Sequence, residues 1–146
     1  MAALLAFHGL RTRELRNLKT TDIRDGRLYL GDRVIPLADP VRVRLTAYLD
    51  HRQRQWPATA NPYLFIHRNT ACTIKPFGRR WAGLLLGMSP RVIREDRILH
   101  EIHATGGDVR RVCEMFGYSV SDAMRYLNTL DPPGIEIGTP PKTSRA

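Results

Sequence analysis

Of the 23 basic side chains in this 146-residue chain, three are lysines (Lys19, Lys75 and Lys142) and the other 20 are arginines. A guanidinium presents a flat fork of N–H donors that engages two phosphate oxygens at once, which a lysine ammonium does not. Against 14 acidic residues the formal charge is +9, and this excess points to a nucleic-acid partner. A GC-rich genome enriches arginine as well, so position has to separate the two origins. The other chemistry-bearing groups are less specific. His100-Glu101-Ile102-His103 lacks the i, i+4 spacing that sets two imidazoles on one helix face, and Cys72 and Cys113 lie far apart, so no metal site is expected. Gly106-Gly107 follows no strand and is not succeeded by Gly-Lys-Ser/Thr, so it is not a phosphate loop.

These groups are carried by a chain long enough for one domain, with 42% hydrophobic residues to build its core. Two cysteines specify no disulfide framework. No apolar run approaches the roughly 20 residues that cross a bilayer, and Met1 to Leu10 lacks the charged start and cleavage site of a signal peptide. The expectation is a cytoplasmic, nucleoid-associated protein with no membrane partner.

Ala2 to Phe7 and Thr12 to Leu18 have helical character, broken at His8-Gly9, and the Thr12 hydroxyl is expected to cap the second helix. Arg27–Leu30 and Arg33–Leu37 alternate around Gly31-Asp32 as a β-hairpin does. Pro40 opens an amphipathic helix through Trp56, with Val43, Ala47 and Leu49 near its apolar face. Tyr63–Ile66 is expected as a third strand. Phe77 to Leu86 is the next helix, closed by Gly87. Ser89-Pro90 starts another, with a hydroxyl cap and proline at the first helical position, and Gly106-Gly107 stops it. Asp108 caps a helix that places Val109, Val112, Cys113 and Phe116 on one side, Gly117 ends it, and Ser121 is expected to cap the last helix through Leu130. Residues 132–146, rich in Pro, Gly and Thr, form a flexible tail in this reading. The fold class is α+β, mainly helical, with a small three-stranded antiparallel sheet inserted after the first helices.

Five segments then stand out in order: Gly9-Leu10-Arg11-Thr12-Arg13-Glu14-Leu15; Arg33-Val34-Ile35-Pro36-Leu37; Ser89-Pro90-Arg91-Val92-Ile93-Arg94; Gly106-Gly107-Asp108 with Met115-Phe116-Gly117-Tyr118; and Arg125-Tyr126. Together they resemble the catalytic domain of the tyrosine recombinases, the phage integrase family, across about residues 2–130. The resemblance implies an integrase-like domain over 1–131 that cuts and rejoins double-stranded DNA in site-specific recombination, without a cofactor. In that chemistry Arg11 and Arg94 hold the scissile phosphate, Tyr126 attacks it to form a 3′-phosphotyrosyl link, and Arg91 and Tyr118 complete the site. Lys19, Arg33, Arg79 and Arg80 are the expected DNA-backbone contacts, assembly is expected as a homo-oligomer on DNA, and the origin is expected to be a prokaryote, phage or mobile element.

The chain departs from the family pattern. Its hairpin carries no lysine to act as general acid, Arg91 and Glu95 stand where histidines are usual, and Tyr118 replaces a third histidine. The spacing from the Arg91–Arg94 segment to Gly107 and that from Tyr118 to Tyr126 each differ from the usual one by a single residue, in opposite directions. The separate N-terminal DNA-clamping domain of full recombinases is expected to be missing. Taken singly, Arg11 reads as a solvated side chain, Arg94 as part of an ion-paired helix face, and Tyr126 as a packed aromatic as readily as a nucleophile. Asp108 to Leu130 also resembles the helix-turn-helix of arabinose-type regulators, which supports an alternative: a catalytically impaired remnant that binds DNA without cutting it.

Overall fold

Leu4 and Leu5 are fully buried on the first helix, α1 (Ala2–His8), which ends where Gly9 turns left-handed at φ 58°. This is the computed structural model of the chain, and it describes residues 1–130; the expected tail at 132–146 lies outside the described residues. The second helix, α2 (Thr12–Asn17), begins one residue earlier than a Thr12 cap requires. Arg11 holds the cap position, and its backbone N–H donates to Glu14 Oε2 at 2.7 Å. A carboxylate three residues into a helix satisfies that otherwise orphaned donor as well as a hydroxyl would.

A 3₁₀ turn (Thr20–Asp22) leads into the sheet, whose strands β1 (Ile23–Arg24), β2 (Arg27–Leu30) and β3 (Arg33–Pro36) are antiparallel in the order β1-β2-β3. The hairpin register pairs Arg27 with Pro36 and Leu30 with Arg33. The expected third strand is therefore misplaced. Tyr63–Ile66 makes only an isolated bridge between Tyr63 and Lys19, because Leu64, Phe65 and Ile66 are buried in succession instead of alternating. β1 takes the third place, and two residues are too few to show a period.

The long helix α3 (Asp39–Gln55) turns inward a face that includes Leu49, as expected, but neither Val43 nor Ala47. Val41 and Leu45 are buried, whereas Val43 is 70% exposed. Residues three or four apart along a helix share one side, and Val43, two positions from each, lies off it. After a single turn, α4 (Arg68–Ala71), comes α5 (Trp81–Leu86), shorter than the expected Phe77–Leu86 helix; Phe77 is buried just ahead of it. The helix α6 (Pro90–Thr105) has proline at its start, as expected, but Ser89 makes no side-chain cap bond. Asp108 does cap α7 (Val109–Phe116), accepting from the Arg111 backbone N–H at 3.1 Å. The last helix, α8 (Val120–Leu130), is capped by Ser119 rather than Ser121, with Ser119 Oγ accepting from the Asp122 N–H at 3.1 Å.

Two apolar clusters result. The larger gathers α1, α2, the hairpin and α3 around Leu5, Leu15, Leu28 and Val41, and the smaller joins α6, α7 and α8 through Ile98, Val112, Phe116 and Ala123. The seam between them runs along Gly9, α6 and the end of α7. Among the described residues no helix is long and apolar enough to cross a membrane.

Candidate active site

At the C-terminal end of α7, three successive carbonyls each accept from a different arginine. Arg33 Nη1 reaches Met115 O at 3.1 Å, Arg94 Nη2 reaches Phe116 O at 3.1 Å, and Arg11 Nη2 reaches Gly117 O at 2.7 Å. A helix C-terminus carries unpaired carbonyls and about half a negative charge, so it is a natural anchor for cations. The three guanidinium groups come from the hairpin, from α6 and from the start of α2. Arg11 and Arg94, 83 positions apart in sequence, thus meet at one point.

Arg94 is the most enclosed of them, with 9% of its surface exposed. It extends the buried stripe of α6, in which Arg94, Ile98, Glu101 and Ile102 share one side. Its Nε donates to Gly9 O at 2.7 Å, which ties α1 to α6, and its Nη1 donates to the Tyr118 hydroxyl at 2.6 Å. The Arg94 and Arg11 guanidinium carbons lie 4.7 and 5.5 Å from the Tyr118 ring centroid. Tyr118 in turn stacks on Tyr126, with ring centroids 6.3 Å apart and planes 26° from parallel. Burial, followed by the charge of Glu95, pushes the Tyr126 phenol above its ordinary pKa, while Arg94 and Arg91 pull against this shift.

Arg91 stays out in solvent, 83% exposed, paired with Glu95 at 2.6 Å one turn further along α6. Its charge reaches both Tyr118 and Tyr126. Of the residues expected to face DNA, Lys19, Arg79 and Arg80 are exposed. Arg33 is not: its guanidinium turns inward, paired with Glu14 and bonded to Met115 O, and it fills the space that a side chain at residue 117 would need. An open groove of about 650 Å³ borders the cluster, lined among others by Arg11, Glu14, Asp32, Arg33, Gly117 and Tyr118. A groove of similar size between α1 and α6 is lined by Phe7, Arg97, His100 and His103 and includes none of the site residues.

The roles of several supporting residues escaped the sequence reading. Glu14 serves two partners, accepting from the Arg11 backbone through Oε2 and pairing with Arg33 through Oε1. Its position three residues after Arg11 was the available signal. Gly9 is needed because a Cβ there would stand 2.6 Å from the Phe116 ring. Glu101, read only as a failed metal ligand, is a buried clamp that accepts from Arg97 at 2.8 Å and Arg111 at 2.6 Å, joining α6 to α7. Burial disfavours its charge, but the hydrogen bonds from Arg111 and Arg97 prevail and hold its carboxyl below the ordinary range. The i, i+4 spacing of Arg97 and Glu101 was legible; the Arg111 contact across two helices was not.

The order of helices around this small sheet is that of a tyrosine recombinase-like domain. No family model matches the chain. A protein of Thermosipho africanus (strain TCF52B) named tyrosine recombinase is 30% identical over 138 residues, covering 88% of this chain and 48% of that protein. The crystal structure of XerA recombinase superposes with a TM-score of 0.67 at 25% identity, covering 85% of this chain and 49% of the other. The XerH site-specific recombinase, bound to its difH substrate in a pre-cleavage complex, shares the fold with a TM-score of 0.64 at 17% identity, over 86% of this chain and 41% of the other. The chain spans about half the length of the relatives it matches.

Proposed function

We propose that this domain cuts and rejoins double-stranded DNA in site-specific recombination through a 3′-phosphotyrosyl intermediate. The observation that carries the reading is the meeting of Arg11 and Arg94 at the end of α7, beside the stacked pair Tyr118 and Tyr126. Two convergent guanidinium groups neutralise the non-bridging oxygens of one phosphodiester, and they do so best when held in place beforehand. Their bonds to backbone carbonyls provide that preorganisation. In this reading Tyr126 is the nucleophile. Its phenol needs the positive charge of Arg91 and Arg94 as the negative charge of the transition state develops. Arg91 adds charge at the rim, and Lys19, Arg79 and Arg80 offer exposed cations to the DNA backbone. Several copies act together on one DNA site.

The test is a nicked duplex whose cleavage releases a short strand and traps the covalent complex. The expected result is a protein–DNA adduct that withstands denaturation and disappears in Tyr126→Phe and in Arg94→Lys. DNA binding without an adduct in the wild-type chain refutes the cleavage reading. An adduct that persists in Tyr126→Phe refutes the choice of nucleophile. Binding itself is expected to weaken steeply with salt, because phosphate neutralisation releases counterions.

A further inference from the structure

Breaking the phosphorus–oxygen bond to the leaving 5′-oxygen produces an alkoxide, which needs a proton, and the hairpin has no lysine or histidine to give one. The cations at the site are guanidinium groups, which do not deprotonate in proteins. Among the groups gathered at the end of α7, the phenol of Tyr118 can surrender a proton and lies against both arginines. Resting on the cleavage reading above, we propose that the Tyr118 hydroxyl is the general acid of the reaction, standing in for the missing hairpin lysine.

Three observations support this role. The Tyr118 oxygen accepts from Arg94 Nη1 at 2.6 Å, so a cationic donor is already in place for the charge that appears when the proton leaves. The Arg94 and Arg11 guanidinium carbons are both within 5.5 Å of its ring centroid, and these are the groups expected to hold the phosphate. Among the described residues no acceptor takes the hydroxyl hydrogen of Tyr118, and the residue lines the groove beside Arg11. Tyr29, the phenol on the hairpin, is engaged differently: its ring lies under Arg24, 4.1 Å from the guanidinium carbon.

The step balances as follows. The Tyr126 oxygen forms a bond to phosphorus and its proton passes to water. The bond from phosphorus to the 5′-oxygen breaks, the electron pair stays on that oxygen, and the Tyr118 proton joins it to give a 5′-hydroxyl. Tyr118 is left as a phenolate held by Arg94. Religation runs the same path backwards: the 5′-hydroxyl returns its proton to Tyr118 as its oxygen attacks the phosphotyrosine.

The experiment compares two nicked duplex substrates, one with the natural 5′-oxygen at the scissile bond and one with sulfur in its place. A thiolate leaves without protonation, so the sulfur substrate does not need the acid. Tyr118→Phe is expected to slow cleavage of the oxygen substrate by about 10²- to 10⁴-fold and to cleave the sulfur substrate at the wild-type rate. Equal losses on both substrates at an unchanged urea midpoint, or no loss on the oxygen substrate, overturn the proposal. If the phenylalanine variant loses stability, difluorotyrosine at position 118 serves instead. It retains the ring and the oxygen, and as a stronger acid it should move the alkaline limit of the oxygen-substrate profile to lower pH while leaving the sulfur profile in place; no movement overturns the proposal. A wild-type chain that forms no adduct with either substrate rejects the cleavage reading and this one together, whereas a failure confined to Tyr118 leaves the cleavage reading standing.

Discussion

Replacing Arg94 with methionine, which has similar length and no charge, sets two large effects against each other. The variant strips a cationic donor from Gly9 O (2.7 Å), from Phe116 O (3.1 Å) and from the Tyr118 hydroxyl (2.6 Å). The first two acceptors belong to buried residues, and each bond to a charged donor is worth about 1.5–3 kcal/mol. The opposing effect is relief from burying a guanidinium, which costs several kcal/mol and at times exceeds what the charge gains. Here the bonds should prevail. Two carbonyls stay buried after the substitution and keep their own desolvation cost of about 1–3 kcal/mol each. The net expectation is a loss of about 2–4 kcal/mol, seen as a fall of about 1–2 M in the urea midpoint followed by circular dichroism. Arg94→Lys, which keeps the charge but not the fork, should lie between the two. A methionine variant as stable as the wild type, or more so, would refute the reasoning, because it would show that α1, α6 and α7 are not held together through this side chain.

Three further outcomes are expected. Gly9→Ala and Gly87→Ala both place a side chain at positive φ, but a Cβ meets Phe116 at 2.6 Å at the first position and open space at the second. Urea midpoints should therefore show about 1 kcal/mol lost at Gly87 and a further 1–3 kcal/mol, roughly, at Gly9. Burial and then the charge of Arg97 lower the His8 pKa, and its Nε2 accepts from the Ala38 N–H at 3.3 Å. The unfolded chain thus binds this proton more readily, so the His8 contribution is complete above the unfolded value near 6.5 and wanes as pH falls below it. The advantage of wild type over His8→Gln in unfolding midpoint should shrink between about pH 7.5 and 5.5, and a constant gap would contradict this. Glu101→Gln should cost about 1–2 kcal/mol at neutral pH, the lower part of the range for charged hydrogen bonds because Arg111 is half exposed. With the Glu101 carboxyl held below its ordinary value, that difference should persist above the unfolded pKa of 4.5 and close as the solution is acidified further.

Local rules that act within a few residues were legible in the chain itself. Glycines at 9, 87, 106 and 117 end helices in the left-handed conformation, proline opens α6, and Asp108 caps α7, because each effect depends only on a residue's own dihedral freedom or on a donor three positions away. The hairpin register followed from alternation around Gly31-Asp32. Faces and partners were not legible to the same degree. The buried stripe of α3 passes through Val41 and Leu45, not Val43, because what packs on a helix is chosen by its neighbours, and Leu64, Phe65 and Ile66 are buried in succession, which removes the alternation that marks a strand.

The candidate site divides along the same line. Arg11, Arg94, Tyr118 and Tyr126 could be picked out by residue type and by the order of their segments. That Arg11 and Arg94 share the end of one helix, that Arg33 turns inward to Glu14 instead of outward, and that Tyr118 takes a hydrogen bond from Arg94 were decided by tertiary structure alone. The physical reason is that an unpaired carbonyl at a helix end has no preference for a near or a distant donor along the chain. It is satisfied by whichever guanidinium the packing of the two apolar clusters brings within about 3 Å.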